Sequence, residues 1–254
     1  MVRIDIDSHD MPPSSGWAFH SHDHEALLSY AYEGSFTQVT PERTWLVLPA
    51  HAVWMPAGTP HAAVIGPLGC RIRTVKLPTP TPDDLPDECC VLEVSPLLAS
   101  LIPAWSEEQQ SERRQALSFL IYDEMRLAPR LDLGLPRLRD PRLQRITDTL
   151  LSDPADPRDL AAFAKLAAMS RRSFIRHFRL ETGMSFAQWR RRLRLLTARQ
   201  LLADGAAVTE VAFALGYNAP SAFIAMMRRE LGATPGQLYR RGLQGGRSPD
   251  TPIY

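Results

Sequence analysis

Three histidines at alternate positions, His20, His22 and His24 in the stretch FHSHDHEALLSY, have types and spacing suited to chemistry. On an extended strand, residues two apart point to one face, so the three imidazoles would converge. A fourth histidine, His61, follows in PAGTPH, where a Pro-x-Gly turn suits delivering a second strand to the first. Three readings stay open. His20, His22 and His61, with His24 or Glu25 as a fourth ligand, have the right ligand types for a divalent metal. The same histidines could line an effector pocket without metal, or form a hydrogen-bonded structural cluster. Strand alternation places Ser21, Asp23 and Glu25 on the opposite face, which counts against Glu25 as a ligand unless the strand bulges.

A second group with chemical potential is a set of arginines. The 254 residues carry a formal net charge of only +1, but the charge is divided. Residues 1–164 hold 14 Lys/Arg against 23 Asp/Glu, a net of −9. Residues 165–249 hold 15 against 4, a net of +11, and all but Lys165 of the basic groups are Arg. A basic, arginine-rich half suits phosphate and base-edge contacts. The three cysteines, Cys70, Cys89 and Cys90, have no framework spacing and fit a reducing compartment. No apolar run approaches a membrane span, and MVRIDIDSHDMPP has no signal-peptide core. A soluble cytosolic protein with no membrane partner is expected.

The elements that must position these groups differ between the halves. Up to about residue 100, short runs such as TWLVLP, AVWMP, AAVIG, CRIRTVKL and CCVLEV are rich in β-formers and separated by Pro and Gly. They predict a small sandwich or barrel. A helix is expected from a Ser106 N-cap to Arg126, with Leu117, Leu120 and Ile121 as its apolar stripe. LAPRLDLGLPRLRDPRL (127–143) holds three prolines and a glycine and reads as the domain linker. The expected organisation is a barrel over 1–105, a helix and linker over 106–140, a helical domain over 141–243 and a flexible tail over 244–254.

The helical half repeats itself. Ala164-x3-Ala168-x-Ser170 precedes Phe174 and Phe178; Ala212-x3-Gly216-x-Asn218 precedes Phe223 and Met227. Each is a short helix, a tight turn and a second helix, and the two copies lie 48 residues apart. The joining helix, Ser185 to Gly205, would span about 28 Å at ~1.5 Å per residue, close to the ~34 Å of one DNA turn. MSRRSFIRHFRLETG, GMSFAQWRRRLRLLTARQLL and VTEVAFALGYNAPSAFIAMMRRELGATPGQLYR together resemble the DNA-binding domain of AraC/XylS-type bacterial transcription regulators. Ala168 departs from the glycine common in the first turn, and Met227 from the usual phenylalanine. HSHDHE followed by PAGTPH resembles, in part, the two motifs of a cupin barrel, and many AraC-type regulators resemble this plan.

The resemblance implies an α+β protein: an N-terminal cupin-like β-barrel, then an all-α domain of two helix-turn-helix units joined by a long helix. It implies a sequence-specific regulator whose partners are a double-stranded DNA operator, an unknown small-molecule effector, a second copy in a homodimer and RNA polymerase. The exposed face of each recognition helix would enter the major groove. In the first unit that face carries Arg171, Arg172, Arg176 and Arg179, with Ile175 among them. Arg172 and Arg176 are four apart and are expected to read bases, since Arg pairs bidentately with guanine. The second unit offers Asn218 and Ser221, with Ile224 as an apolar probe. Arg228 and Arg229 are expected on phosphates, as are two among Arg190, Arg191, Arg192 and Arg194. The rival class, a metal-dependent cupin enzyme with a DNA-binding appendage, is disfavoured by the incomplete first motif. A sensor without catalytic residues is expected, its effector pocket or metal site formed by His20, His22, His24 and His61.

Overall fold

The computed structural model describes residues 3–231. The closing TPGQLYRR segment and the tail expected at 244–254 lie outside the described residues. Two compact units divide the rest: one takes the residues up to Thr40 with Trp45–Gly134, the other Pro41–Thr44 and the described residues from Leu135 on.

In chain order the elements begin with β1 (Asp5–Met11), β2 (Gly16–His20), β3 (Glu25–Val39), β4 (Arg43–Val47), β5 (His51–Met55), β6 (His61–Pro78) and β7 (Cys90–Glu93). Then come α1 (Pro96–Glu107), α2 (Ser111–Leu127), β8 (Arg130–Leu131) and β9 (Gly134–Pro136). The main path of the sheet runs β1-β6-β3-β5-β7-β8, with β2 beside β6. The pairs β1–β6, β2–β6, β3–β6, β3–β5, β5–β7 and β7–β8 are antiparallel. AAVIG and CRIRTVKL, read separately from the sequence, are the two ends of the long β6. Its register against β3 shifts between Ala31/Glu33 and between Gly34/Phe36. Gly34 makes the second shift feasible: its φ is +71°, and a Cβ there would meet the Gly69 carbonyl at 2.5 Å. The bulged β6 then serves two partners. Its second half pairs with β1, and its first half pairs with β2, setting His20 opposite His61.

The helix expected to open at Ser106 is two helices. α1 starts at Pro96, behind Ser95, whose hydroxyl accepts the Leu98 N–H at 3.0 Å. Proline in the first turn loses no helical hydrogen bond. Ser106 lies in the last turn and donates to the Ile102 carbonyl at 3.3 Å, so the acids after it close one helix rather than open another. The boundary expected after residue 105 therefore falls inside α1. The expected linker also carries structure: β8 and β9 lie in it, and Leu133, Leu135 and Leu138 are buried. Burying three leucines outweighs the breaker effect of the neighbouring prolines.

α1 and α2 cover the sheet. Leu98, Ile102, Trp105, Ile121 and Met125 share one cluster with Leu28, Trp54, Val75 and Leu92. Trp105 Nε1 donates to Ser118 Oγ at 2.8 Å, tying the helices together. Of the α2 stripe, Ile121 is buried and Leu117 packs at the cluster edge, while Leu120 stays 42% exposed.

The second unit is helical: α3 (Pro141–Ser152), α4 (Leu160–Leu166), α5 (Arg171–Thr182), α6 (Phe186–Ala203), α7 (Val208–Ala214) and α8 (Pro220–Leu231). Caps fix the boundaries. Asp140, Asp159, Ser170 and Ser185 each accept a backbone N–H of the first turn, and Gly183, at φ +70°, ends α5. Two cores flank α6. Phe163, Phe174, Phe178, Phe186 and Trp189 are buried around its start, with edge-on ring pairs such as Phe178–Phe186 at 5.3 Å. Ala198, Leu202, Val211, Ala212, Phe223 and Met227 cluster around its end. The repeated small residues, Ala164 and Ala212, are both buried, and Met227 fills its place completely.

The turn residues differ. Gly216 has φ +77°, free of Cβ strain, whereas Ala168 is held at φ +51°. An L-residue there costs about 1–2 kcal/mol, and glycine returns part of that through unfolded-state entropy. Ala168 is exposed, so little packing is at stake. Ala168→Gly should stabilise the helical unit by about 1 kcal/mol; a melting temperature that falls instead would contradict the strain.

Candidate functional site

The histidine site lies wholly in the first unit. HSHDH does not form the continuous strand that its alternation suggests. β2 ends at His20, residues 21–24 turn, and β3 starts at Glu25. The turn is pinned by the PAGTPH loop: the Gly58 N–H donates to the His22 carbonyl at 2.9 Å, and Gly58 adopts φ +74°. Thr59 Oγ1 closes the loop by donating to the Pro56 carbonyl at 2.7 Å. This brings His20, His22 and His61 together. Their ring centroids are 4.4 Å (His20–His61), 5.1 Å (His20–His22) and 5.5 Å (His22–His61) apart. One nitrogen from each ring lies within 4.8 Å of the other two.

His24 is not part of this group. It is exposed, and its carbonyl accepts the Thr79 N–H at 2.9 Å. Glu25 also differs from expectation. Because the chain turns, it is not held opposite the histidines; its Oε1 lies 3.2 Å from His22 Nδ1. Lys76 Nζ stands 4.0 Å from the same oxygen and pairs closely with Asp7. The hydrogen bond to Asp7 is the main reason the Lys76 pKa is raised. His61 is buried, and burial holds its pKa below the ordinary histidine value; nearby His20 and His22 push the same way, against a backbone hydrogen bond at Thr59.

The second unit displays the arginine face. Ser170 caps α5, and Arg171, Arg172, Ile175, Arg176 and Arg179 are all exposed on it, around a shallow depression with Leu180 and Gly183. Arg176 Nη2 lies 3.1 Å from Nε2 of His177, which is half-buried beside it. In the second unit Asn218, in the turn before α8, and Ser221, Arg228 and Arg229, on α8, are exposed. Ile224, expected as an apolar probe, packs against the core cluster instead.

The arginines of α6 are sorted by the tertiary structure. Arg190 donates to the carbonyls of Arg158 and Asp156, and Arg194 Nε to Pro154 at 2.9 Å. They fasten the loop before α4, so they are not solvated reserves for phosphate. Burial lowers the Arg190 pKa. Beneath them Asp156 holds Arg158 through two carboxylate oxygens, and that hydrogen bonding depresses the Asp156 pKa. A further depression brings Arg190, Arg191, Arg194, Tyr217, Ala225 and Arg229 to one place. Sequence reasoning did not single out Tyr217; its position directly before Asn218 was the available signal.

Residues 8–151 match the family described as the AraC-like ligand binding domain, and residues 163–241 match a helix-turn-helix domain. The HTH-type transcriptional regulator NimR of Escherichia coli is 32% identical over 225 residues, covering 87% of this chain and 82% of the relative. The HTH-type transcriptional regulator RipA of Corynebacterium glutamicum is 39% identical over 101 residues, 39% of this chain and 30% of the relative. Among solved structures, the DNA-binding domain of AdpA in complex with a target DNA is similar at 33% identity, over 39% of this chain and 91% of that one, with a TM-score of 0.37. No helix among the described residues is long and apolar enough to cross a membrane.

Proposed function

This chain belongs to the AraC-type transcription regulators, with a ligand-binding domain ahead of a helix-turn-helix DNA-binding domain, and from that premise we propose how its residues divide the work. Arg172 and Arg176 of α5 read base edges. Arg171, Arg179, Arg228 and Arg229 neutralise phosphates, and Asn218 and Ser221 give the second unit its polar contacts. The observation that carries this reading is the exposed face of α5, which carries Arg171, Arg172, Arg176 and Arg179 and is anchored at both ends by its caps. α6, with 18 residues, is a strut of about 27 Å between the two reading helices. The DNA-binding part begins at Leu135 rather than at 141, because Trp189 Nε1 donates to the Pro136 carbonyl at 3.1 Å.

In the first unit, His20, His22 and His61 form the wall of the sensing site and carry out no catalysis. The regulator acts in the cytoplasm as a homodimer, and it contacts RNA polymerase at the promoter. Support for self-association comes from Phe119 and Leu120, neighbours on α2, which are 59% and 42% exposed.

The test is DNA binding by the full chain across a salt series, with the stoichiometry read by sedimentation. Affinity should fall steeply with salt, log K losing about 0.9 per decade for each phosphate neutralised, with two chains per operator. Arg228→Ala should weaken all sequences alike and reduce the salt slope by about 1. Affinity that ignores salt would contradict the phosphate contacts, and a single chain per operator would contradict the dimer.

A further inference from the structure

Arg176 and His177 are adjacent on α5, and adjacent residues on a helix point about 100° apart. Nevertheless Nη2 of Arg176 lies 3.1 Å from Nε2 of His177. The contact forms because the Arg176 side chain bends sideways, from the exposed face of α5 toward the half-buried ring. A guanidinium has donors and no acceptor, so Nε2 of His177 is the acceptor. The ring that makes this bond is neutral, with its one proton on Nδ1. An imidazolium donates at both nitrogens and cannot accept.

In this position Arg176 is occupied by the protein. A bidentate contact with guanine O6 and N7 needs two of its N–H groups directed outward at a base edge. Arg172, four residues earlier on the same face, has no such hydrogen bond or ion pair among the described residues. Of the two arginines assigned to bases, one is therefore held back and the other is not. The groups around His177 also offer its charged form a partner. Asp140, the N-cap of α3, is held below the ordinary carboxylate range first by hydrogen bonding from the Arg142 side chain, and nearby His177 pushes the same way. Glu181 lies one turn along α5 from His177, and its Oε2 accepts the backbone N–H groups of Arg139 and Asp140. The cations here are Arg176 itself and Arg142, which is paired with Asp140 at 2.7 Å.

We propose that His177 is the positioning residue for Arg176: neutral, it holds the guanidinium off the reading face, and protonated, it faces the Asp140 and Glu181 carboxylates and releases Arg176 to a base. The inference deepens the base-reading role proposed above for Arg176 and rests on it. Withdrawal of Arg176 leaves the ring free to take up a proton. The DNA-bound state then holds more protons than the free one, so base reading strengthens as pH falls. The window is the range of about pH 5 to 8 in which histidine changes charge.

The experiment uses the full chain with two duplexes, one that it selects from a randomised pool and one scrambled from that sequence. Fluorescence anisotropy follows the ratio of the two affinities from about pH 8 down to about pH 6. The ratio should rise about 10-fold, with a slope of no more than about one log unit per pH unit, the limit for one proton per chain. His177→Gln keeps an acceptor for Arg176 but cannot be protonated, so its ratio should stay flat near the wild-type value at high pH. His177→Leu cannot accept, so its ratio should stay flat near the higher value reached at low pH. Arg176→Ala should be flat as well, because nothing is left to release. A merely structural His177 would not move this profile. Nitrogen NMR of the free chain at about pH 8 should show the Nδ1–H tautomer for His177, identified by its loss in His177→Gln. A flat wild-type ratio overturns the inference, as does a rise that survives in His177→Gln or an Nε2–H tautomer in the free chain. Should His177→Leu fail to fold, the contrast between wild type and His177→Gln decides. Salt-sensitive binding with an enriched site and a flat ratio sinks this inference alone. A chain that enriches no sequence from the pool sinks the base-reading role, and this inference falls with it.

Discussion

Replacing Trp189 with alanine should cost the helical unit about 3–5 kcal/mol. The side chain is 1% exposed, sits edge-on to Phe178 at 6.0 Å and donates its indole N–H to the Pro136 carbonyl. Truncation would open a cavity in the first core and leave that buried region without its donor. A domain of this size has only about 5–15 kcal/mol of total stability, so a third or more would go. Urea titration of the full chain, followed by limited trypsin cleavage at the arginines of α5 and α6, reads the change. The midpoint should fall steeply for Trp189→Ala and less for Trp189→Phe, which keeps most of the packed volume. An unchanged midpoint would mean that the aromatic cluster does not hold the reading helices.

The second large effect is on recognition. Arg172→Ala with Arg176→Ala should remove two bidentate base contacts, each worth about 1–3 kcal/mol of discrimination. Together they should reduce the preference for the operator over scrambled duplex by about 30- to 20,000-fold. Binding to scrambled DNA should fall much less, because Arg171, Arg179, Arg228 and Arg229 remain for the phosphates. In the free protein Arg176 rests against His177 at 3.1 Å, and it must leave that contact to reach a base. Fluorescence anisotropy with both duplexes measures the ratio. Equal losses on operator and scrambled DNA would assign both arginines to the backbone instead.

The helical half was largely legible because its signals are local. Ser170 and Gly183 bracket α5, Ser185 opens α6, and the Phe174/Phe178 and Phe223/Met227 spacings mark the two cores. What the sequence could not supply was tertiary. Arg190 and Arg194 look like solvated charges along a basic helix, and only folding reveals the carbonyls of 154, 156 and 158 beside them. Alternation aimed His20 and His22 the same way, but for the wrong reason: a turn, held by Gly58, brings them together, drops His24 and returns Glu25 to His22. α1 was legible in principle, through Ser95-Pro96 as cap and first-turn proline, but Pro103 inside it masked the helical pattern. Cys89 and Cys90 are half-buried, and burial pushes the Cys90 thiol up to about 11.

On the reading proposed above, the two helix-turn-helix units read DNA in tandem, with α6 setting their separation. Selection from a pool of randomised duplexes by the full chain tests it most directly. The expected site has two enriched blocks whose centres lie one helical turn, about 10 bp, apart, the block under α5 richer in guanine and the block under α8 less sharply defined. A pool that shows no enriched sequence after selection, or a single block with no second element one turn away, would contradict it.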